Sequence, residues 1–216
     1  EEPDEPEEPE EPDDSDDSEE PETAWITDPA TNIEYYVDLY KDGTCALVNT
    51  AGGERILNEV TIPSYLYYEN RSYAVRYIDG GSFGWKVESV QHLIIPESVE
   101  KIEYLGSLIQ PKKVTFLGKR EIIDSGALWD CVDLENIGWP QGVKTIGEDA
   151  FLHCISLENI IIPDSVTTIE RGAFDNCTSL KKVVFPSHIT TIAAATFLTC
   201  KSLTDIVWPD KLETIE

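Results

Sequence analysis

The sequence contains no methionine, even at position 1, which points to a chain whose original start has been removed. No apolar run approaches the roughly 20 residues that a membrane-crossing helix needs. Neither a membrane span nor a signal peptide is therefore expected. Basic residues are scarce, with 16 Lys and Arg against 42 Asp and Glu and a formal net charge of −26. Phosphate binding needs a basic footprint, so the composition speaks against a nucleic-acid partner. Histidine is limited to His92, His153 and His188, and none is spaced near a nucleophile. No Cys-x-x-Cys pair, Gly-x-Ser-x-Gly elbow, glycine-rich phosphate loop or His-Glu-x-x-His motif occurs. No metal, no cofactor and no catalytic residue is expected, and the chain reads as a non-enzyme.

What is present is unevenly distributed. Residues 1–22 hold 15 acids and no base, and the remainder holds 27 acids against 16 Lys and Arg. The segment is of low complexity with almost no apolar content, so residues 1–23 are expected to be a disordered acidic tether. Proline recurs every third residue at Pro3, Pro6, Pro9 and Pro12, which favours polyproline II. At ~3.1 Å per residue such a tether reaches roughly 70 Å.

The rest is governed by a repeat. Pro140, Pro163, Pro186 and Pro209 stand 23 residues apart, a period that marks a solenoid. The same interval separates Ile146, Ile169, Ile192 and Ile215, then Phe151, Phe174 and Phe197, then Leu157, Leu180 and Leu203. Cys131, Cys154, Cys177 and Cys200 follow it too, which assigns the thiols to a buried stack and not to a disulfide framework. The unit at Leu117 lacks its proline, and the unit at Pro96 is two residues short and departs through Tyr104–Lys113. Ile78 and Phe83 lead into Leu93 and Ile95, for about six rungs in residues 79–216.

Residues 24–78 read as short strands and turns. Ile33–Tyr40, Thr44–Asn49 and Ile56–Ile62 are strand candidates, and Tyr65–Glu69 and Tyr73–Ile78 flank a hairpin turn at Asn70-Arg71. An open solenoid end exposes core, so this apolar, aromatic segment is expected to be an N-terminal β cap. One unit cannot bury its apolar side alone, whereas stacked units turn each column into a ladder. Leu-x-x-Ile-x-Ile/Phe/Trp-Pro alternates as a half-buried strand does, and the stacked strands are expected to form one parallel sheet. Ile-x-x-x-Ala-Phe-x-x-Cys has spacings of five and three, which suit a helical turn or coil better than a strand.

The run I-I-P-D-S-V-T-T-I-E-R-G-A-F-D-N-C-T-S-L-K-K-V-V-F-P resembles the BspA-like, treponemal type of leucine-rich repeat, strongly over 117–216 and more weakly over 56–116. The resemblance implies an α/β, β-rich leucine-rich-repeat solenoid with a parallel sheet on the concave face and an N-terminal β-hairpin cap. It also implies a secreted or cell-surface bacterial protein, held by a lipid anchor on a residue upstream of this chain, that binds host or neighbouring-cell proteins. Monomeric behaviour is expected.

By the same resemblance Leu157, Ile160 and Ile162 point inward, and the residues between them face outward. One outward column is Ile94, Thr115, Gly138, Ile161, Val184 and Val207. Its neighbour is His92, Lys113, Asn136, Asn159, Lys182 and Asp205. The candidate partner-binding face is Ile94, Thr115, Asn136, Asn159, Ile161, Lys182, Val184, Asp205 and Val207. A row of exposed Ile and Val on a rigid sheet suits an adhesion module. If Trp139 and Trp208 point outward instead, they form aromatic platforms, and the alternative is a carbohydrate-binding or enzyme-accessory surface protein with a glycan partner.

Overall fold

A computed structural model describes residues 20–51, 56–80 and 88–216. The expected tether as far as residue 19, and Phe83, lie outside the described residues.

The chain opens with β1 (Glu22–Thr27), β2 (Glu34–Leu39) and β3 (Thr44–Thr50). They pair antiparallel in chain order. β1 takes in the last two residues of the expected tether. In β2, Tyr35, Val37 and Leu39 are buried while Glu34 is exposed and Tyr36 and Asp38 are half-buried, the two-residue alternation of a strand with one packed face. The turn into β3 is set by Gly43 at φ +83° and by Asp42, whose Oδ1 accepts from the Thr44 N–H and hydroxyl at 2.9 and 2.7 Å. This is an Asx-type turn.

Next come β4 (Ile56–Thr61), β5 (Tyr65–Tyr68), β6 (Arg71–Asp79), β7 (Glu88–Ile95), β8 (Lys101–Glu103), a single helical turn α1 (Leu105–Leu108) and β9 (Ile109–Phe116). β5 and β6 form the expected hairpin, with the turn at Glu69 and Asn70, both at positive φ. β6 also pairs parallel with β3 and with β8. The sequence boundary at Ile78 is crossed both ways. β4 pairs parallel with β7 in the repeat sheet, whereas β8 joins the N-terminal sheet. The irregular Tyr104–Lys113 stretch contains α1 and the first half of β9, entered through Tyr104 at φ 52°.

Beyond β9 the strands alternate between two rows. They are β10 (Ile122–Ile123), β11 (Asn136–Gly138), β12 (Thr145–Ile146), β13 (Asn159–Ile161), β14 (Thr168–Ile169), β15 (Lys182–Val184), β16 (Thr191–Ile192), β17 (Asp205–Val207) and β18 (Thr214–Ile215). Odd-numbered strands belong to the Leu-x-x-Ile row. Together with β4, β7 and β9 they form two parallel sheets, β4–β7–β9–β11 and β13–β15–β17, and not the single sheet expected. Even-numbered strands carry the Ile column and also ladder in parallel, as β10–β12–β14 and β16–β18. The expected turn or coil follows from Gly147 to Cys154, but the Ile that opens the motif is corrected: the Ile column belongs to a second row of two-residue strands. The turns that follow are stacked as well. Gly126, Leu128 and Asp130 donate backbone N–H bonds to Glu148, Ala150 and Leu152 of the next rung, and the pattern recurs from Asp149 to Arg171 and from Gly172 to Ala194.

The core follows the columns. Phe151 stacks on Phe174 at 5.0 Å between ring centroids, and Phe174 on Phe197 at 5.7 Å. Phe151 and Phe174 are fully buried, and each contributes about 1.5–3 kcal/mol. Ala127, Ala150 and Ala173 are buried beside this column. The four repeat thiols are free, as expected. Cys154, Cys177 and Cys200 donate from Sγ to the carbonyls of Leu128, Phe151 and Phe174 at 3.3, 3.2 and 3.1 Å. Each thiol thus satisfies a carbonyl of the preceding rung. Burial pushes the Cys131, Cys154 and Cys177 thiols far above the usual range, while Cys200 reaches only about 11. One buried cluster runs from Ala24 to Ile192.

Candidate protein-binding face

Strand alternation fixes which side chains face out. Leu157, Ile160 and Ile162 are at most 2% exposed, while Ile161 between them is 68% exposed. Parallel pairing sets Ile161 opposite Val184, and Val184 opposite Val207. These three residues form a continuous apolar stripe across β13, β15 and β17. Val184 is half-buried, and Val207 is exposed.

Polar residues border the stripe. Asn159, Lys182 and Asp205 pair in register beside it, and Lys182 holds Asp205 at 2.8 Å. One position further along, Lys181 bonds Glu158 at 2.7 Å across adjacent rungs, and Lys112 bonds Glu135 at 3.1 Å. Paired charges thus line one side of the apolar stripe.

Ile94, Thr115 and Asn136 lie on the other sheet. Ile94 pairs with Thr115, and Asn136 with Lys113. No strand ladder joins β11 to β13 among the described residues, so the predicted nine-residue face falls into two parts at this seam. The part on β7–β9–β11 is polar where the other is apolar. His92 bonds Glu59 through Nδ1 at 3.0 Å and Thr115 Oγ1 through Nε2 at 2.9 Å. An added Cβ on Gly138 would come within 2.9 Å of Thr115 Oγ1, so glycine there leaves this chain of side chains its room. The hydroxyl–imidazole–carboxylate order is that of a nucleophile relay. Here it lies along a strand face, with the His92 side chain 25% and the Glu59 side chain 61% exposed. Glu59 went unrecognised in the sequence because the β5–β6 hairpin separates it from His92 and breaks the 23-residue register.

Trp139 is not an outward platform. Its ring packs on Phe151 at 5.7 Å and its Nε1 donates to the Ile161 carbonyl at 3.0 Å. Trp208 is half exposed and stacks parallel to Phe185. His153 bonds Asp130, and His188 bonds the Val166 carbonyl, which gives both a structural role. The described residues contain no group of three or more His, Cys, Asp or Glu arranged to hold a metal ion. None of their helices is long and apolar enough to cross a membrane.

Residues 112–216 match the family model of the BspA type leucine rich repeat region, in six copies. No curated protein matches the chain. Among solved structures it is similar to a leucine-rich repeat protein of T. pallidum, covering 88% of this chain and 85% of that one at 22% identity and a TM-score of 0.56. It is also similar to a leucine-rich repeat protein of Bacteroides ovatus, covering 84% and 55% at 23% identity and a TM-score of 0.56. A leucine rich cell surface protein of Faecalibacterium prausnitzii is 27% identical over 89% of this chain and 44% of its own, with a TM-score of 0.49. The chain thus spans about half the length of the Bacteroides and Faecalibacterium proteins. The first two likenesses show the fold, a β-rich solenoid with parallel sheets.

Proposed function

Because residues 112–216 are BspA-type leucine-rich repeats, we propose that the chain is a non-enzymatic module that captures a protein partner on its outward strand face. We read this face as the concave one. Its centre is the stripe of Ile161, Val184 and Val207, rimmed by Asn159, Lys182 and Asp205. The observation that carries this reading is Ile161, a large aliphatic side chain 68% exposed on a rigid ladder. Ile94, Thr115 and Asn136 extend the face across the seam with polar contacts. The N-terminal sheet acts as the cap of the solenoid, and the acidic segment acts as a tether that displays it. The repeat type supports placement at a bacterial cell surface, with adhesion as the role and a lipid anchor upstream as the means of attachment.

The test uses the chain as bait for surface proteins of host and bacterial cells. Ile161→Lys with Val184→Lys is expected to abolish capture while the circular dichroism spectrum and Tm stay unchanged. Normal capture by the folded double variant sinks the proposed face. The glycan alternative now rests on Trp208, since Trp139 is engaged in the core. Glycan binding that disappears in Trp208→Ala, with Ile161 and Val184 intact, would favour it.

A further inference from the structure

Among the described residues, the row beside the apolar stripe contains one cation that its register leaves without a carboxylate. Glu59, His92, Lys113 and Asn136 stand opposite one another across β4, β7, β9 and β11. Asn159, Lys182 and Asp205 continue the row across β13, β15 and β17. Lys182 meets Asp205 on the following rung and bonds it at 2.8 Å. Lys113 holds the same place on an earlier rung, but the residue that follows it is Asn136, and an amide cannot neutralise an ammonium. On the other side stands His92, whose Nδ1 bonds Glu59 at 3.0 Å. Glu59 itself is two strands away from Lys113, roughly 10 Å. Glu135, one residue before Asn136, is bonded to Lys112 at 3.1 Å. Lys112, Lys181 and Lys182 thus each hold a carboxylate. The exposed Lys113 ammonium holds none, and it makes no hydrogen bond among the described residues.

The surroundings of Lys113 are open and supply a second donor. The Asn136 side chain is exposed and makes no hydrogen bond among the described residues. Gly138 follows two residues later on the same side of β11 and adds no side chain, so the way from Lys113 toward Ile161 is unobstructed by β11. A carboxylate placed over β9 and β11 accepts from the ammonium and from the Asn136 amide, and hydrogen bonds with an ionised partner are the strong ones. The net charge of −26 repels highly charged anions at long range, so a single carboxylate suits the place better than an acidic run. β9 and β13 are two strand positions apart, and Ile161 lies two residues beyond the row of Lys113. The separation is on the order of 12 Å, which three or four residues of extended chain span.

We infer that the protein partner presents a carboxylate side chain to Lys113 and Asn136, three residues from the apolar side chain that it lays on Ile161 and Val184. The carboxylate requirement rests on the Ile161 stripe being a binding face. It adds a charge criterion that the stripe does not contain, and it gives the polar half of the face the task of choosing among apolar partners. The partner's carboxylate does for Lys113 what Asp205 does for Lys182.

The test is an NMR titration of the full chain, at low ionic strength, with acetyl-Glu-Gly-Gly-Leu-amide and with acetyl-Gln-Gly-Gly-Leu-amide. The Glu peptide is expected to shift Lys113, Asn136, Gly138 and Ile161, and to bind about threefold more tightly, as befits an exposed ion pair. Lys113→Gln is expected to remove the difference between the peptides. Asn136→Asp supplies Lys113 with a partner from its own chain, and it is expected to remove or reverse the difference while the Gln peptide binds as before. Both substitutions are on the surface, and an unchanged Tm checks that the variants are folded. Equal binding of the two peptides by the unaltered chain overturns the inference, as does a preference that survives Lys113→Gln. Equal binding with shifts retained at Ile161 and Val184 overturns the carboxylate requirement alone and leaves the stripe as a binding face. The absence of shifts at Ile161 and Val184 with either peptide overturns both.

Discussion

The indole Nε1 of Trp139 donates to the carbonyl oxygen of Ile161, 3.0 Å away on the next rung. At the equivalent positions of later rungs the backbone does this work, Ile162 N–H bonding the Val184 carbonyl and Phe185 N–H the Val207 carbonyl. A side chain therefore bridges the seam between β11 and β13. Trp139→Phe keeps an aromatic ring against Phe151 but leaves the carbonyl without this donor. The expected cost is about 1 kcal/mol, read as a lower midpoint in chemical denaturation. An unchanged midpoint would show that water replaces the indole at no cost.

Two turn positions per rung lie in the left-handed region. Gly126, Asp149, Gly172 and Ala195 form one such column, at φ 64°, 54°, 64° and 58°. Alanine has no side-chain hydrogen bond to offset the strain. Ala195→Gly is expected to stabilise the chain by about 1 kcal/mol. The reverse change, Gly172→Ala, should destabilise the chain by about 1 kcal/mol, since φ is 64° and the Asp149 carboxylate, with Oδ1 2.0 Å from the new Cβ, must turn away. Thermal melts of the two variants should move in opposite directions, and movement in the same direction would reject the reading.

Thiol reactivity should follow position in the stack. Cys131, Cys154 and Cys177 are buried, whereas Cys200 is half-buried and its thiol is pushed only to about 11. Labelling with iodoacetamide near pH ~8 should modify Cys200 first, because only the thiolate reacts. The other three should label at the rate of unfolding. Mass spectrometry of digested samples resolves the order, and early modification of Cys154 would contradict it.

Stability should rise as pH falls from neutrality toward 3.8, the ordinary value of the two acids concerned. Asp38 is held above its ordinary 3.8 by burial and then Asp79. Asp149 is held above it by burial and then Glu148 and Asp175. An acid raised in the folded state contributes stability that is complete below 3.8 and is lost as pH rises through its folded value. Asp42, lowered through its bond to the Thr44 hydroxyl, acts in the opposite sense, and only below 3.8. Overall self-repulsion adds to the slope, so the informative comparison is with Asp38→Asn/Asp149→Asn. That variant should show a flatter Tm–pH curve, and an unchanged slope would remove these two groups from the account.

The columns were legible in the sequence because each buried position recurs at a fixed interval. Ile160 and Val183 are buried for the same reason that they are 23 residues apart. The outward assignment of Ile161 followed from alternation within one strand. Features set by contacts between unlike segments were not legible. The Ile146 column forms strands only because its neighbours above and below supply the pairing, and two residues carry too little pattern to announce it. The seam at Trp139 depends on a side-chain donor replacing a backbone one. The parallel joining of β3 and β6, which are separated by β4 and β5, is a third such feature. No local periodicity encodes that pairing.

The bonds between successive turns, such as Phe151 N–H to the Ala173 carbonyl and Phe174 N–H to the Thr196 carbonyl, all lead from one rung to the next and so lie along the stacking direction. Their mechanical consequence is anisotropy. A pull between the two ends loads each inter-rung contact in tension, so the weakest junction peels first and the extension proceeds in 23-residue steps. A pull across a rung shears several ladders together and meets far greater resistance. The molecule is therefore compliant along its length and stiff across it.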